Sequence, residues 1–381
     1  MSERPRRTLA PGLVRAAGQA WLVFGLTLLL FLLLEFGYRG ARAVRHGLSH
    51  SEPVVDSSQH PYAREAWWGE VQRDLRLRKN RFDPYRGHWS LPLTTRSVNI
   101  DSLGRRVTPQ PRIKGPRRQL FLLGGSTAWG YSARDSATIG AFLSEALRAR
   151  GIRDVEVVNL AQAAFNSSQE ATTLVVELAH GRIPALAVVL DGYNDIATAG
   201  KYREPGHTYG DWGIQEQIER GTRNFGQELA GLGRHSAVVQ WLRDLLGLRA
   251  TPAGAGQPPI CGGVAAYYRN ELLIGEALGQ KFGFPAVYFL QPHSAVSKKR
   301  LTRWEATLQV PRLVPPCVAS IDSALADQRG STFFSLAELF DRDTATVFLD
   351  VSAHLTEAAN QQVAERIAEV VAPLLVRGSN P

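Results

Sequence analysis

The sequence predicts an α/β protein, a three-layer α/β/α sandwich around a parallel five-stranded sheet, with a transmembrane helix at its N-terminal end. Three observations predict it. From Gln119 onward, short apolar runs alternate with stretches of helical period, the pattern of a parallel sheet covered on both faces. Glycines and small polar residues follow those runs, where a parallel sheet places its crevice. Nearer the start, residues 16–34 form an uncharged apolar stretch flanked by arginines.

The apolar stretch comes first along the chain. Nineteen residues at 1.5 Å each reach about 28 Å, close to the thickness of a bilayer's hydrocarbon layer. A cleaved signal peptide is the alternative, since Ala41-Arg42-Ala43 has the small-x-small form of a cleavage site. That site lies far beyond Leu34, so an uncleaved signal anchor over 16–38 fits better, after a basic tail at 1–15. Arg4, Arg6, Arg7 and Arg15 before the span favour a cytoplasmic N-terminus, although Arg39, Arg42 and Arg45 follow it. The remainder would then lie on the periplasmic or extracytoplasmic side of a single-pass inner-membrane protein.

Composition sharpens this division. The 381 residues are 44% hydrophobic and 21% charged, which excludes a disordered chain, and two cysteines exclude a zinc ribbon or an iron–sulfur centre. The net charge of +9 first suggests nucleic acid. Residues 1–118, however, hold 21 basic and 9 acidic side chains, so the later portion is slightly acidic. The basicity therefore belongs to a juxtamembrane connecting segment, 39–118. Its arginines interleave with Trp67, Trp68, Tyr85 and Trp89, yet a basic run beside a membrane more often meets lipid headgroups than nucleic acid. No nucleic-acid partner is expected.

The elements of a domain over 119–375 follow in order. Strands are predicted at 119–123, 155–160, 185–190, 286–290 and 346–349, each a short apolar run bounded by turn residues. Helices are predicted at 136–150, 167–179, 264–282, 317–328 and 356–375, with Ser167-Ser168-Gln169-Glu170 as a cap. Two further helical stretches, near 213–229 and 236–246, fall in an insertion at 200–262 that would serve as a lid. Residues 251–263 read as a Pro/Gly-rich surface loop.

Polar residues stand just after the strands. Gly124-Gly125-Ser126-Thr127 follows the first; without Gly-Lys-Ser/Thr it is no phosphate loop, and it is no G-x-S-x-G elbow. Asp191-Gly192-Tyr193-Asn194-Asp195 follows the third. It is a good turn sequence, and its Asn can alternatively aim an amide at a developing oxyanion. Asp350 and His354 follow the last, a carboxylate and a histidine suited to general-base work. Each motif is weak alone; their order along the chain is not.

On these residues the chain resembles the SGNH (GDSL-type) hydrolases, and in particular a bacterial membrane-anchored subgroup, over most of 97–372. Residues 121–130 (FLLGGSTAWG) resemble the family's first block, implying Ser126 as nucleophile. Residues 157–170 (VVNLAQAAFNSSQE) resemble the second, implying an oxyanion-hole N–H from Ala164. Residues 190–196 (LDGYNDI) resemble the third, with Asn194 as a further oxyanion donor beside the N–H of Ser126. Residues 348–360 (FLDVSAHLTEAAN) resemble the last, with His354 as base and Asp350 as its orienter. The segments 98–108 and 289–299 resemble others of the subgroup. The resemblance implies a flavodoxin-like sheet and no metal or organic cofactor.

The chain departs from the family in two places. Ala161 and Ala164 stand where the second block usually carries glycine, and Asp350 and His354 are four apart instead of three. On a helical turn residues i and i+4 share a face, which would let the carboxylate reach the ring; otherwise a main-chain carbonyl could orient it. The activity implied is that of a serine esterase acting on acyl, including O-acetyl, esters of envelope carbohydrate or lipid. An O-acyltransferase using the same residues and an inactive carbohydrate-binding scaffold are the other readings. Cys261 and Cys317 would pair in an oxidising compartment, or else be two independent buried thiols. His293, after the fourth strand, either lines the crevice or is structural.

Overall fold

A computed structural model describes residues 11–49, 60–113, 115–208, 236, 238 and 260–377. Two compact units are present, one of residues 1–55 with 215–255 and one of 56–214 with 256–381. The described part of the first unit is mainly helix α1 (Pro11–Ser49). Within it Arg15–Gly40 has a mean hydropathy of 2.2, long and apolar enough to cross a membrane. The one carboxylate of that span, Glu35, is buried and accepts from Ser236 Oγ at 2.8 Å and from the Val238 N–H at 3.0 Å. The helices expected near 213–229 and 236–246 otherwise lie outside the described residues.

The second unit opens with helix α2 (Trp68–Leu77) and an antiparallel hairpin, β1 (Asn80–Asp83) with β2 (Gly87–Ser90). Residues 60–118 thus do more than connect, because Trp89, Val98 and Ile100 are buried there. The central sheet contains β3 (Arg118–Gly124), β4 (Val155–Asn159), β5 (Leu186–Asp191), β6 (Ala286–Leu290) and β7 (Phe333–Ser335). They pair in the order β4-β3-β5-β6-β7, all parallel. This 2-1-3-4-5 order is flavodoxin-like, and its direction reverses beside β3, so the crevice opens at the end of that strand.

Helices cover both faces. The strand period of two sends Leu120, Leu122, Val188 and Phe289 to one face, against α4 (Ile139–Ala149) and α9 (Glu357–Arg377). Phe121, Leu123, Val189 and Tyr288 point the other way, against α5 (Ser167–Ala179), α7 (Ile260–Phe282) and α8 (Val314–Ala324). Helix α5 starts where the sequence predicts, one residue after an N-cap at Asn166. Its side chain and that of Gln169 form a reciprocal capping box, which satisfies N–H groups the first turn would otherwise leave unpaired.

One strand is corrected. The sequence predicts the fifth strand at 346–349, but the fifth strand of the sheet is β7, and 346–349 makes only an isolated bridge, Phe348 to Leu355. An apolar run of four has no periodicity to separate a strand from a buried loop, and pairing is decided by position in space. Cys261 on α7 and Cys317 on α8 are joined by a disulfide. Opening it by reduction or by a double Ser substitution is expected to lower stability by about 2–4 kcal/mol. Thermal unfolding with and without reductant checks this, and coincident curves would remove the bridge from the stability account.

Candidate active site

Ser126 is the first residue of a one-turn helix, α3 (Ser126–Trp129), immediately beyond β3. The two preceding glycines make that turn tight. A Cβ on Gly124, at φ +150°, would sit 2.3 Å from the Leu190 carbonyl oxygen, and one on Gly125 would sit 2.3 Å from the Asn194 amide nitrogen. Only glycine lets the Asn194 amide lie this close to the serine turn.

A continuous hydrogen-bonded chain runs from the serine. His354 Nε2 lies 2.8 Å from Ser126 Oγ, and His354 Nδ1 lies 2.6 Å from Asp350 Oδ2. The carboxylate favours the tautomer with its proton on Nδ1, so that Nε2 accepts from the serine hydroxyl. Desolvation pulls the Asp350 pKa up, but the His354 hydrogen bond and charge and the N–H groups of Ser352 and His354 outweigh it. Its carboxyl therefore titrates below the ordinary value. Tyr131 stacks on the His354 ring at 4.7 Å, and Thr127 Oγ1 donates to the Ala353 carbonyl, tying the serine turn to the histidine loop.

The four-residue spacing of Asp350 and His354 is closed by a turn and not by a helix. Ala353 takes φ +63°, which reverses the chain enough for the ring to fold back onto the carboxylate. Asp350 and His354 consequently sit on a loop, not at the end of a strand.

The second and third blocks meet at the same turn. Asn194 Nδ2 donates to the Phe165 carbonyl at 2.6 Å while lying over Gly125, leaving its second amide hydrogen for the crevice. The backbone N–H groups of Ser126 and Ala164 donate to no other group among the described residues. Ala164 adopts φ +69°, the left-handed conformation for which glycine is suited. Ala164→Gly is expected to stabilise the protein by about 1 kcal/mol by relieving this contact of Cβ with its own backbone. A melting curve that fails to move upward would show that the loop is not held in that conformation.

Buried carboxylates support the block-three helix, α6 (Tyr193–Tyr202). Asp195 accepts from Ser167 Oγ at 2.6 Å and from the Ser167 N–H, which joins α6 to the start of α5. Burial first, and the Asp191 charge second, push the Asp195 carboxyl up to about 7. Asp191 accepts from the Tyr268 hydroxyl, and Glu170 beside it is pushed well above its usual range by burial and by Asp191. Among the described residues no group of three His, Cys, Asp or Glu side chains is placed to hold a metal ion.

His293 belongs to the support and not to the reacting groups. Its Nδ1 accepts from the Ala295 N–H at 2.9 Å, so Nε2 carries the proton and donates to the Val351 carbonyl at 3.0 Å. Burial pushes its pKa down to about 4, with the Val351 bond and the Asp350 charge acting the other way. A histidine with a lowered folded pKa contributes stability that is complete above its unfolded value and lost as pH falls. A decline of about 3 kcal/mol at most is expected between about pH 6.5 and 4. Chemical denaturation across that window measures it, and an equal decline in His293→Gln would assign the loss to other groups.

Sequence reasoning missed the pair that carries the histidine loop. Lys299 Nζ and Glu305 Oε2 form an ion pair at 2.5 Å with both side chains 0% exposed. Glu305 also accepts from the N–H groups of Val347 and Phe348, the residues leading into Asp350. Trp304 donates to the Leu349 carbonyl at 3.1 Å. A lysine and a glutamate six apart in a loop carry no periodic signal, and only their complete burial marks them.

The fold and this site define a three-layer α/β protein with a hydrogen-bonded serine–histidine–aspartate chain at the mouth of β3. No family model matches the chain, and no curated protein does. Among solved structures it is similar to TesA, at 15% identity over 68% of this chain and 99% of that one, with a TM-score of 0.34. It is similar to a G-D-S-L family lipolytic protein from Desulfitobacterium hafniense, at 9% identity over 67% and 99%, TM-score 0.37. A variant of Axe2, an acetyl-xylooligosaccharide esterase from Geobacillus, matches at 11% identity over 68% and 96%, TM-score 0.37. The functional reading rests on the site's own geometry.

Proposed function

We propose that the protein is a serine ester hydrolase tethered to a membrane by α1. The observation that carries this reading is the hydrogen-bonded chain Ser126–His354–Asp350, at 2.8 and 2.6 Å. His354 Nε2 takes the hydroxyl proton as Ser126 Oγ attacks the ester carbonyl. The developing oxyanion accepts from the N–H groups of Ser126 and Ala164 and from the Asn194 amide. One such donor is typically worth about 3–4 kcal/mol of barrier. His354 then gives its proton to the leaving alcohol, and the acyl group stays on Ser126. Water, deprotonated by the same ring, attacks that ester, and the ring returns the proton to Ser126 Oγ as the acid leaves.

The substrate class we propose is an acyl ester, O-acetyl included, on envelope carbohydrate or lipid outside the cytoplasm. The disulfide between Cys261 and Cys317 supports an oxidising compartment, and the arginines before the span support a cytoplasmic N-terminus. A fluorophosphonate probe tests the chemistry. Labelling of the wild type and not of Ser126→Ala is expected, whereas an unlabelled wild type overturns the reading. Free acetate released from an acetylated glycan supports hydrolysis; its capture by an added glycan would make the protein a transferase instead.

A further inference from the structure

Among the described residues, Arg78 is a half-buried cation without a counter-ion. It follows α2 and leads into β1 in extended conformation. Among the described residues its only side-chain hydrogen bond is to Asn80 Oδ1, at 3.4 Å, and no carboxylate lies within ion-pair distance. A guanidinium carries five N–H donors in a rigid fork, so most of its capacity is unused. Desolvation lowers its pKa, with the nearby Tyr131 acting the other way.

Its neighbours locate it. The guanidinium carbon lies 5.4 Å from the centre of the Trp129 ring, in the helix that begins with Ser126. Arg106 lies 4.3 Å from the same ring, but its charge is met by Asp135 at 2.7 Å and by the Ala133 carbonyl. Two guanidinium groups thus share one indole, and among the described residues only Arg106 is met by a carboxylate. Tyr131, near enough to act on the Arg78 charge, is the ring stacked on His354. On the other side Arg78 depresses the pKa of His88, a smaller effect there than burial and the Ala163 hydrogen bond. His88 Nε2 contacts that Ala163 carbonyl at 3.0 Å, one residue from the proposed oxyanion donor Ala164. Arg78 therefore lies against Trp129 and near Tyr131 and His88, which in turn touch the His354 ring and the Ala163 carbonyl.

We propose that Arg78 is an anion subsite that selects esters bearing a carboxylate or a phosphate close to the acyl group. An incoming anion supplies the missing counter-charge to a guanidinium already partly desolvated and laid against an aromatic face, which is where a charged hydrogen bond gains most. The proposal deepens the ester-hydrolase reading and rests on it for the kinetics alone.

The test uses the full-length protein in detergent and three aryl acetates, 4-acetoxybenzoate, 4-acetoxyphenyl phosphate and the neutral 4-acetoxybenzamide. The ratio of kcat/KM for the preferred anion over the amide is expected to fall about tenfold or more in Arg78→Gln. Arg78→Lys, which keeps the charge but not the fork, recovers part of it. An unchanged ratio overturns the subsite. Calorimetry on Ser126→Ala with the same compounds needs no turnover. Tighter binding of an anion than of the amide, lost on adding Arg78→Gln, supports the subsite even if nothing is hydrolysed. Equal binding of all three overturns it even if the amide is hydrolysed. Preference for the carboxylate points to an acidic glycan, and preference for the phosphate to a phosphate-bearing lipid or glycan.

Discussion

Ser126→Ala is expected to lower the hydrolysis of a neutral aryl acetate by about 10⁴- to 10⁶-fold, and His354→Ala by a similar factor. The two groups act as one unit, joined at 2.8 Å, so the double variant should be scarcely worse than either single one. Multiplying losses would mean that serine and histidine serve separate steps, which the proposed mechanism does not allow. Asp350→Asn should cost less. The Asp350 side chain is 42% exposed, so water can replace part of what the carboxylate does for the imidazolium. Single-turnover rates, compared at equal folded fraction, separate these outcomes.

Lys299→Met is expected to destabilise the protein by about 3–5 kcal/mol, because it strands a glutamate that is wholly enclosed. The loss reaches the active site through the chain. Glu305 accepts from the N–H groups of Val347 and Phe348, and the next residues lead to Asp350 and His354. Fluorophosphonate labelling of Ser126 should therefore slow at temperatures where the variant is still folded. The double variant Lys299→Met/Glu305→Gln removes the uncompensated charge and should recover part of the melting temperature. Equal melting of wild type and Lys299→Met would show that the pair is not enclosed as described.

Much of the fold was legible because its signals are local. Apolar runs of five to seven residues, a capping residue before α5 and helical periods over α4, α7 and α9 each depend on neighbours a few positions away. The third-block helix α6 was not legible, since Asp-Gly-Tyr-Asn-Asp is as good a turn as a helix start. The hairpin of β1 and β2 was hidden among arginines, whose abundance suggested a plain connector. Its tight turn is helped by Asp83, which accepts from the Tyr85 and Arg86 N–H groups.

The site divides along the same line. Residue type and order pointed to Ser126, Asn194, Asp350 and His354, because few side chains can serve as nucleophile, donor, orienter and base. The conformations of Ala164 and Ala353 did not follow from their identity, as alanine resists positive φ and only surrounding packing imposes it. Arg78 is one arginine among many in the sequence, and only the structure leaves it without a carboxylate partner among the described residues. By itself the sequence determined the alternating elements, the apolar N-terminal helix and the chemical types gathered after the strands, all properties of short stretches of chain. Tertiary structure alone decided which run became the fifth strand, how a four-residue spacing closes on the histidine, and which buried charges are paired. Those depend on groups far apart in the chain that only folding brings within a few ångströms.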